Sequence, residues 1–210
     1  HIHIIDAELM GKGEKEKKDL YIEGVQNNGI INHYEYIINS EGTIEIRHVL
    51  KPEGKMPLWF PRIGLTLTVS DALDQVKWYG RGPQENYPDR KTGYPTGIYA
   101  STVQAMYEPY LMPQDYGLRT DVRWLQLTTD KGIGLQFKMN EWFNFNIYPY
   151  STDNLTKAMY TYQLQKQKGM TLNLDYATTG VGCTARGVFG AYKAMPQEYR
   201  RTISIRPMMK

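Results

Sequence analysis

Cysteine is almost missing from this chain. Cys183 stands alone among 210 residues, which excludes an internal disulfide framework and makes a Cys-rich zinc site untenable. Long apolar runs are missing too: no stretch approaches the roughly 18 residues of a membrane helix. Neither sign of charge dominates, since 25 basic and 22 acidic side chains leave a formal net charge of +3. No basic block is interleaved with aromatics, so neither nucleic acid nor a membrane is an expected partner. The densest charge run, Glu14 to Asp19, mixes both signs and reads as a solvated loop. No signal peptide is visible, and the chain opens at His1 with a strand-like His1-Ile2-His3-Ile4-Ile5. The expectation is a piece of a longer polypeptide, soluble, and either cytoplasmic or periplasmic.

What the chain does have is tyrosine, 17 of them, within an ordinary hydrophobic fraction of 41%. Tyrosine suits half-buried strands, where the ring packs and the hydroxyl stays wet, and it suits sugar-facing surfaces. Period-two alternation recurs from end to end. It runs through Ile44-Ile46-His48, Leu65-Leu67-Val69, Leu135-Phe137-Met139, Phe143-Phe145-Ile147, Leu172-Leu174 and Ile203-Ile205. Turn chemistry separates these runs at Asn27-Asn28-Gly29, Asn39 to Gly42, Asp130-Lys131-Gly132 and Lys168-Gly169. Helical patterning is confined to Ser151 to Tyr160, where Ser151 or Thr152 can cap a short helix. Gly80 to Arg123 is rich in Pro, Gly, Tyr and charge, and reads as long loops that wrap the body. With no linker or repeat, the prediction is one all-β domain over 1–210. Its form is a large antiparallel β-sandwich with long irregular loops and at most short helices.

The irregular segment carries Trp78-Tyr79-Gly80-Arg81-Gly82-Pro83-Gln84-Glu85-Asn86-Tyr87-Pro88-Asp89-Arg90, then Met106-Tyr107-Glu108-Pro109-Tyr110, then Pro113 to Arg123. These blocks resemble the C-terminal, small-chain domain of glycoside hydrolase family 2 β-galactosidases. In that family W-x-G-x-G-P-x-E-N-Y-x-D-R precedes M-Y-x-P-Y and P-x-x-x-G-x-R-x-x-x-R. The likeness extends to Pro61 to Leu65, Phe143 to Ile147, Leu172 to Asp175 and Gly180-Val181-Gly182, and it is weak over the first 55 residues. It implies a sandwich similar to galactose mutarotases, the supersandwich form. It also implies a parent enzyme that hydrolyses terminal β-D-galactosides, with this domain packing on the catalytic barrel and completing the active-site rim. The partners so implied are the other domains of the same polypeptide, and the galactoside through the parent. No cofactor is implied for this piece; magnesium and sodium ions often serve the family in its other domains.

Retaining glycoside hydrolysis needs two carboxyl groups about 5 Å apart, and the family draws both from the barrel. Here the acids stand beside arginines, which favours the ionised carboxylate and suits an ion pair rather than a general acid. Arg81, Glu85, Asp89, Arg90, Arg119, Asp121 and Arg123 are therefore expected to pin the long loops, and no catalytic residue is expected. The histidines, His1, His3, His33 and His48, show no metal-binding pattern; His48 reads as a satisfied core-edge side chain. Gly180-x-Gly182 opens no helix, which argues against a phosphate cradle. The family's loop after this motif carries a tryptophan platform for the sugar. An ungapped match puts Gly187 at that position, leaving Thr184 and Arg186 as the polar groups at the substrate rim. Two other functions fit the fold class, an autonomous carbohydrate-binding module and an aldose epimerase. The second needs a histidine and a glutamate on the concave face, and the irregular loops hold no histidine.

Overall fold

The computed structural model describes residues 3–4, 29–183 and 187–209. Its strands are β1 (His3–Ile4), β2 (Gly29–Ile38), β3 (Ile44–Glu53), β4 (Arg62–Val69), β5 (Gln75–Arg81), β6 (Thr96–Thr102), β7 (Arg119–Thr128), β8 (Gly134–Tyr148), β9 (Met170–Thr178) and β10 (Tyr199–Met208). A six-residue helix, α1 (Thr152–Lys157), follows β8, with Ser151 Oγ accepting from the Asn154 N–H at 3.0 Å as its N-cap. Among the described residues no helix is long and apolar enough to cross a membrane. The fold is an all-β antiparallel sandwich.

Strand β8 is the branch point. Gly134 to Met139 pairs with β10, which leads on to β3 and β2. Asn144 to Tyr148 pairs with β9, which leads on to β4 and β1. The other edge of β8 carries β7, then β5, then β6. All these ladders are antiparallel, and the forked sheet closes around a large apolar core, with a smaller cluster of Tyr116, Tyr148 and Leu155 beside it. Ile63, Leu65, Leu67 and Val69 point inward from β4, as their alternation demands. Trp78 is fully buried and meets Phe145 edge-on, centroids 5.9 Å apart.

The structure corrects the expectation that Gly80 to Arg123 is all loop. β6 lies within it, pairing with β5 from Gln75–Thr102 to Arg81–Thr96. Its alternation is faint in the sequence because β6 is an edge strand that leaves Ile98 exposed while Tyr99 packs on Trp78.

A second departure matters more for the site. The inner end of β8 and β9 from Met170 to Tyr176 are buried on both faces. Phe143, Phe145, Ile147, Leu172 and Leu174 fill the core, and Asn146, Tyr148, Asn173 and Asp175 are buried on the opposite face. The 104–118 segment and α1 help to cover that face. Asn146 Nδ2 donates to Asp115 Oδ1 at 2.8 Å and to the Tyr116 carbonyl at 3.0 Å. Asn173 Nδ2 donates to Asn146 Oδ1 at 2.8 Å, and Thr66 Oγ1 donates to Asn173 Oδ1 at 2.7 Å. A strand face that looks wet in the sequence is a buried hydrogen-bonded layer.

Candidate functional site

Loops following β5, preceding β7 and following β9 converge on a cleft of about 720 Å³. Trp59, Arg62, Tyr87, Arg90, Tyr110, Asp115, Gly180, Val181 and Val188 are among its lining residues. Three groupings of charged side chains hold the surrounding loops.

The first centres on Glu85, which is 6% exposed. Its carboxylate accepts from Arg90 Nη2 at 2.9 Å, Tyr87 Oη at 3.2 Å and the Gly117 N–H at 2.8 Å. Tyr110 Oη donates to it as well. Glu85 thereby ties the loop after β5 to the one before β7. Burial and the Glu85 charge push the Tyr110 phenol up to about 12.

The second centres on Asp121. Arg81 Nε donates to it at 2.5 Å and Lys91 Nζ at 2.9 Å. Burial works to raise this carboxyl, but hydrogen bonds from Arg81 and Lys91 overcome it and hold the group below its ordinary value. The third joins Arg62 to Asp175 at 2.8 Å and, more loosely, to Asp115 at 3.4 Å. Burial pushes the Asp175 carboxyl up to about 6 against the pull of Arg62.

Arg119 pairs with neither Asp115 nor Asp121. It is 3% exposed, donates to the Pro83 and Gly117 carbonyls at 2.9 and 2.8 Å, and lies over the Trp78 ring at 5.4 Å. Burial draws its guanidinium down to about 10. Arg123 donates to the Asp121 carbonyl and lies over Trp142 at 4.0 Å and Tyr79 at 5.2 Å.

Asp89 occupies the Gly180-x-Gly182 turn. Its carboxylate accepts from the Val181 N–H at 3.1 Å and the Gly182 N–H at 2.7 Å. A Cβ on Gly180 would fall 2.3 Å from the Asp89 carboxyl carbon, so only glycine admits the carboxylate there. Gly182 takes φ +67°, the left-handed region that favours glycine. The amides that resemble an anion nest are filled by the protein's own carboxylate. Of the rim residues, Thr184 and Arg186 lie outside the described residues. Gly187 is exposed, with nothing within 4 Å of where a Cβ would stand.

Glu85, Asp89, Asp121 and Asp175 are each held by arginine, lysine or backbone amides, an arrangement that positions the loops. Asp175, pushed up by its burial, is 1% exposed. Among the described residues no three of His, Cys, Asp and Glu come together as a metal-holding group. Sequence reasoning missed Arg62, Asp115, Asn146, Asn173 and Asp175; the one available signal was a run of amides and acids, Asn144-x-Asn146 and Asn173-x-Asp175, at alternate strand positions.

His48 is packed rather than poised. It is 1% exposed, stacked on Tyr34 with centroids 4.1 Å apart, and bonded through Nδ1 to Tyr176 Oη at 2.7 Å and through Nε2 to Asn32 Oδ1 at 3.0 Å. Burial lowers its pKa to about 4. The unfolded chain, with histidine near 6.5, then binds the proton more readily than the folded one. Stability is kept above pH 6.5 and lost as pH falls toward 4, by roughly 3 kcal/mol at most. We expect the stability difference between the native chain and His48→Gln to shrink by that order between pH 7 and pH 4 in urea titrations. A pH-independent difference would count against a neutral buried imidazole.

Fold and site together define an antiparallel sandwich domain whose loops are clamped by ion pairs around a cleft. The chain belongs to the β-galactosidase small-chain family: the family model described as "Beta galactosidase small chain" matches residues 7–205. It is 38% identical over 147 residues to the β-galactosidase of Priestia megaterium, covering 70% of this chain and 14% of that protein. To the β-galactosidase of Vibrio cholerae it is 39% identical over 122 residues, 58% of this chain and 11% of that protein. To that of Pseudoalteromonas haloplanktis it is 34% identical over 148 residues, 70% and 14% respectively. The matched region thus spans about one-seventh or less of these relatives.

Proposed function

We propose that this chain is the non-catalytic C-terminal domain of a β-galactosidase, a single domain over 1–210 that packs on the catalytic barrel and completes its active-site rim. The observation that carries this reading is the small-chain family match over 7–205, in relatives whose remaining length is several times that of this chain. The contacts around the cleft support it, because Glu85, Asp89 and Asp121 serve as acceptors that tie loops together, the task of structural carboxylates. Arg81, Glu85, Asp89, Arg90, Arg119, Asp121 and Arg123 hold the loops that carry the rim. Thr184, Arg186 and Gly187 form the rim itself, and the galactoside meets this domain only through the parent enzyme. Any magnesium or sodium the parent uses is bound by its other domains.

The isolated chain is expected to show no hydrolysis of a nitrophenyl galactoside. Hydrolysis that disappears on changing one carboxylate of this chain would overturn the non-catalytic role. The rim is tested by Gly187→Trp in the full-length enzyme. Among the described residues nothing stands within 4 Å of where a Gly187 Cβ would lie, and thermal stability is expected to hold nearly constant. An added stacking aromatic is worth about 1 kcal/mol, a several-fold change in KM or in the ratio of hydrolysis to transfer. Unchanged kinetics across several galactosides would place the loop away from the substrate.

A further inference from the structure

Leu58, Trp59, Val181, Phe189, Tyr192 and Met195 are 39% to 84% exposed, and backbone contacts gather the segments that carry them. Phe60 and Ala194 form an antiparallel bridge, with the Phe60 N–H donating to the Ala194 carbonyl at 2.9 Å, so Leu58 and Trp59 approach the segment from Tyr192 to Met195. The Lys193 ammonium lies over the Trp59 ring at 5.6 Å. The Gly180 N–H donates to the Tyr192 carbonyl at 2.8 Å and the Tyr192 N–H to the Phe189 carbonyl at 3.0 Å, which brings Val181 and Phe189 to the same place. Thr179 Oγ1 closes the base, donating to the Phe60 carbonyl at 2.6 Å and accepting from the Ala194 N–H at 2.9 Å. Hydrogen bonds at the base therefore fix this face while its apolar side chains stand in solvent. Trp59 and Val181 also line the cleft, so the face borders it. Exposed apolar side chains grouped in this way mark a contact with another protein surface.

The matched region makes up 14% or less of the relatives above, so most of their chain lies outside it. A domain tethered in such a chain meets its neighbours at high local concentration, without a second molecule. We infer that this face docks on the catalytic barrel of the parent polypeptide, with Leu58, Trp59 and Phe189 as its apolar anchors and the Gly187 loop at its margin. This docking presupposes the packing role proposed above and names the surface that performs it. Tyr79 and Trp142, with Ile98 opposite Tyr79 in register, form a rival exposed face. There Arg123 already lies over both rings, which gives that aromatic surface a partner within the domain.

Hydrogen exchange read by mass spectrometry, on the 210-residue chain and on the full-length enzyme, tests this. In the full-length enzyme exchange across 187–195 should slow by about tenfold or more, and exchange across 96–102 should not change. Leu58→Asp with Phe189→Asp should leave the Tm of the 210-residue chain within about 2 °C of its starting value, because both side chains are exposed. In the full-length enzyme the same pair should return exchange across 187–195 to the free chain's rate. Phe189→p-benzoylphenylalanine should crosslink to the barrel on illumination. Protection that appears only elsewhere on the domain would overturn this face while leaving the packing role standing. Exchange unchanged throughout the domain would remove the packing role as well. Crosslinks confined to a second copy, or a concentration-dependent dimer of the 210-residue chain that the double variant abolishes, would reassign the face to self-association and overturn the docking.

Discussion

Glu85→Ala should cost roughly 3–5 kcal/mol of folding stability, because it strips the partner from several buried donors at once. Among the described residues the carboxylate is the acceptor for the Gly117 N–H and for the Tyr87 and Tyr110 hydroxyls, and it faces Arg90 at 2.9 Å. Arg90→Ala removes one of those contacts from the other side. Its side chain is 50% exposed against 8% for Glu85, so water can replace much of what it gives. The expected loss there is about 1 kcal/mol or less. Urea denaturation of the two variants distinguishes a hub from a simple pair. Equal effects would mean that the Arg90 contact carries the stability and the tyrosines and the amide do not.

The motif from Trp78 to Arg90 was legible because its residue types are chemically unlike one another and each has a distinct physical task. Trp78 fills the core, Arg81 reaches Asp121, Glu85 bridges two loops and Asp89 plugs a glycine turn. The partners of Arg119 were not legible, for a geometric reason. Two residues apart on a strand, Arg119 and Asp121 should share a face. Between Arg119 and Val122 the pairing with β8 slips by one residue, and Asp121 takes φ +54°. That bulge breaks the alternation, so Arg119 lies against Trp78 while Asp121 meets Arg81 and Lys91. No local pattern announces such a slip.

The buried polar layer escaped for a different reason. Asn146, Asn173 and Asp175 stand where alternation assigns water, and alternation reports only that one face is apolar. Whether the other face meets solvent or another segment depends on a loop some 30 residues away in sequence, the one that brings Asp115 and the Tyr116 carbonyl onto Asn146. Sandwich strands read correctly as strands can therefore be misread in their environment. The error falls on polar side chains, whose hydrogen bonds and not whose hydrophobicity specify the layer.

Arg62→Ala is the sharpest test of that layer, and its effect should depend on pH. Arg62 bonds Asp175 at 2.8 Å, with side-chain exposures of 25% and 2%. Removing the guanidinium leaves a buried carboxylate without its counter-charge, a loss of roughly 3–5 kcal/mol at neutral pH. Asp175 already titrates near 6, because burial outweighs the pull of Arg62, and without that pull its pKa must rise further. A carboxyl whose folded pKa lies above its unfolded value holds its proton more tightly when folded. Lowering the pH through that folded pKa therefore favours the folded state, and the gain is complete below about 3.8. The Arg62→Ala penalty should be largest at pH 7 and shrink as pH falls toward 5, as Asp175 takes up a proton and ceases to be an unpaired charge. Asp175→Asn in the same background removes the charge without acid. The double variant should recover much of the loss at pH 7 and show little of the pH dependence. A double-mutant cycle by urea denaturation at pH 7 and pH 5 reads both effects. If the penalty stayed constant across that range, and the double variant were no more stable than Arg62→Ala, the loss would lie in the packing of the arginine stem and in the bond that Arg62 Nη2 donates to Asn146 Oδ1 at 3.3 Å, and the charge on Asp175 would not be its source.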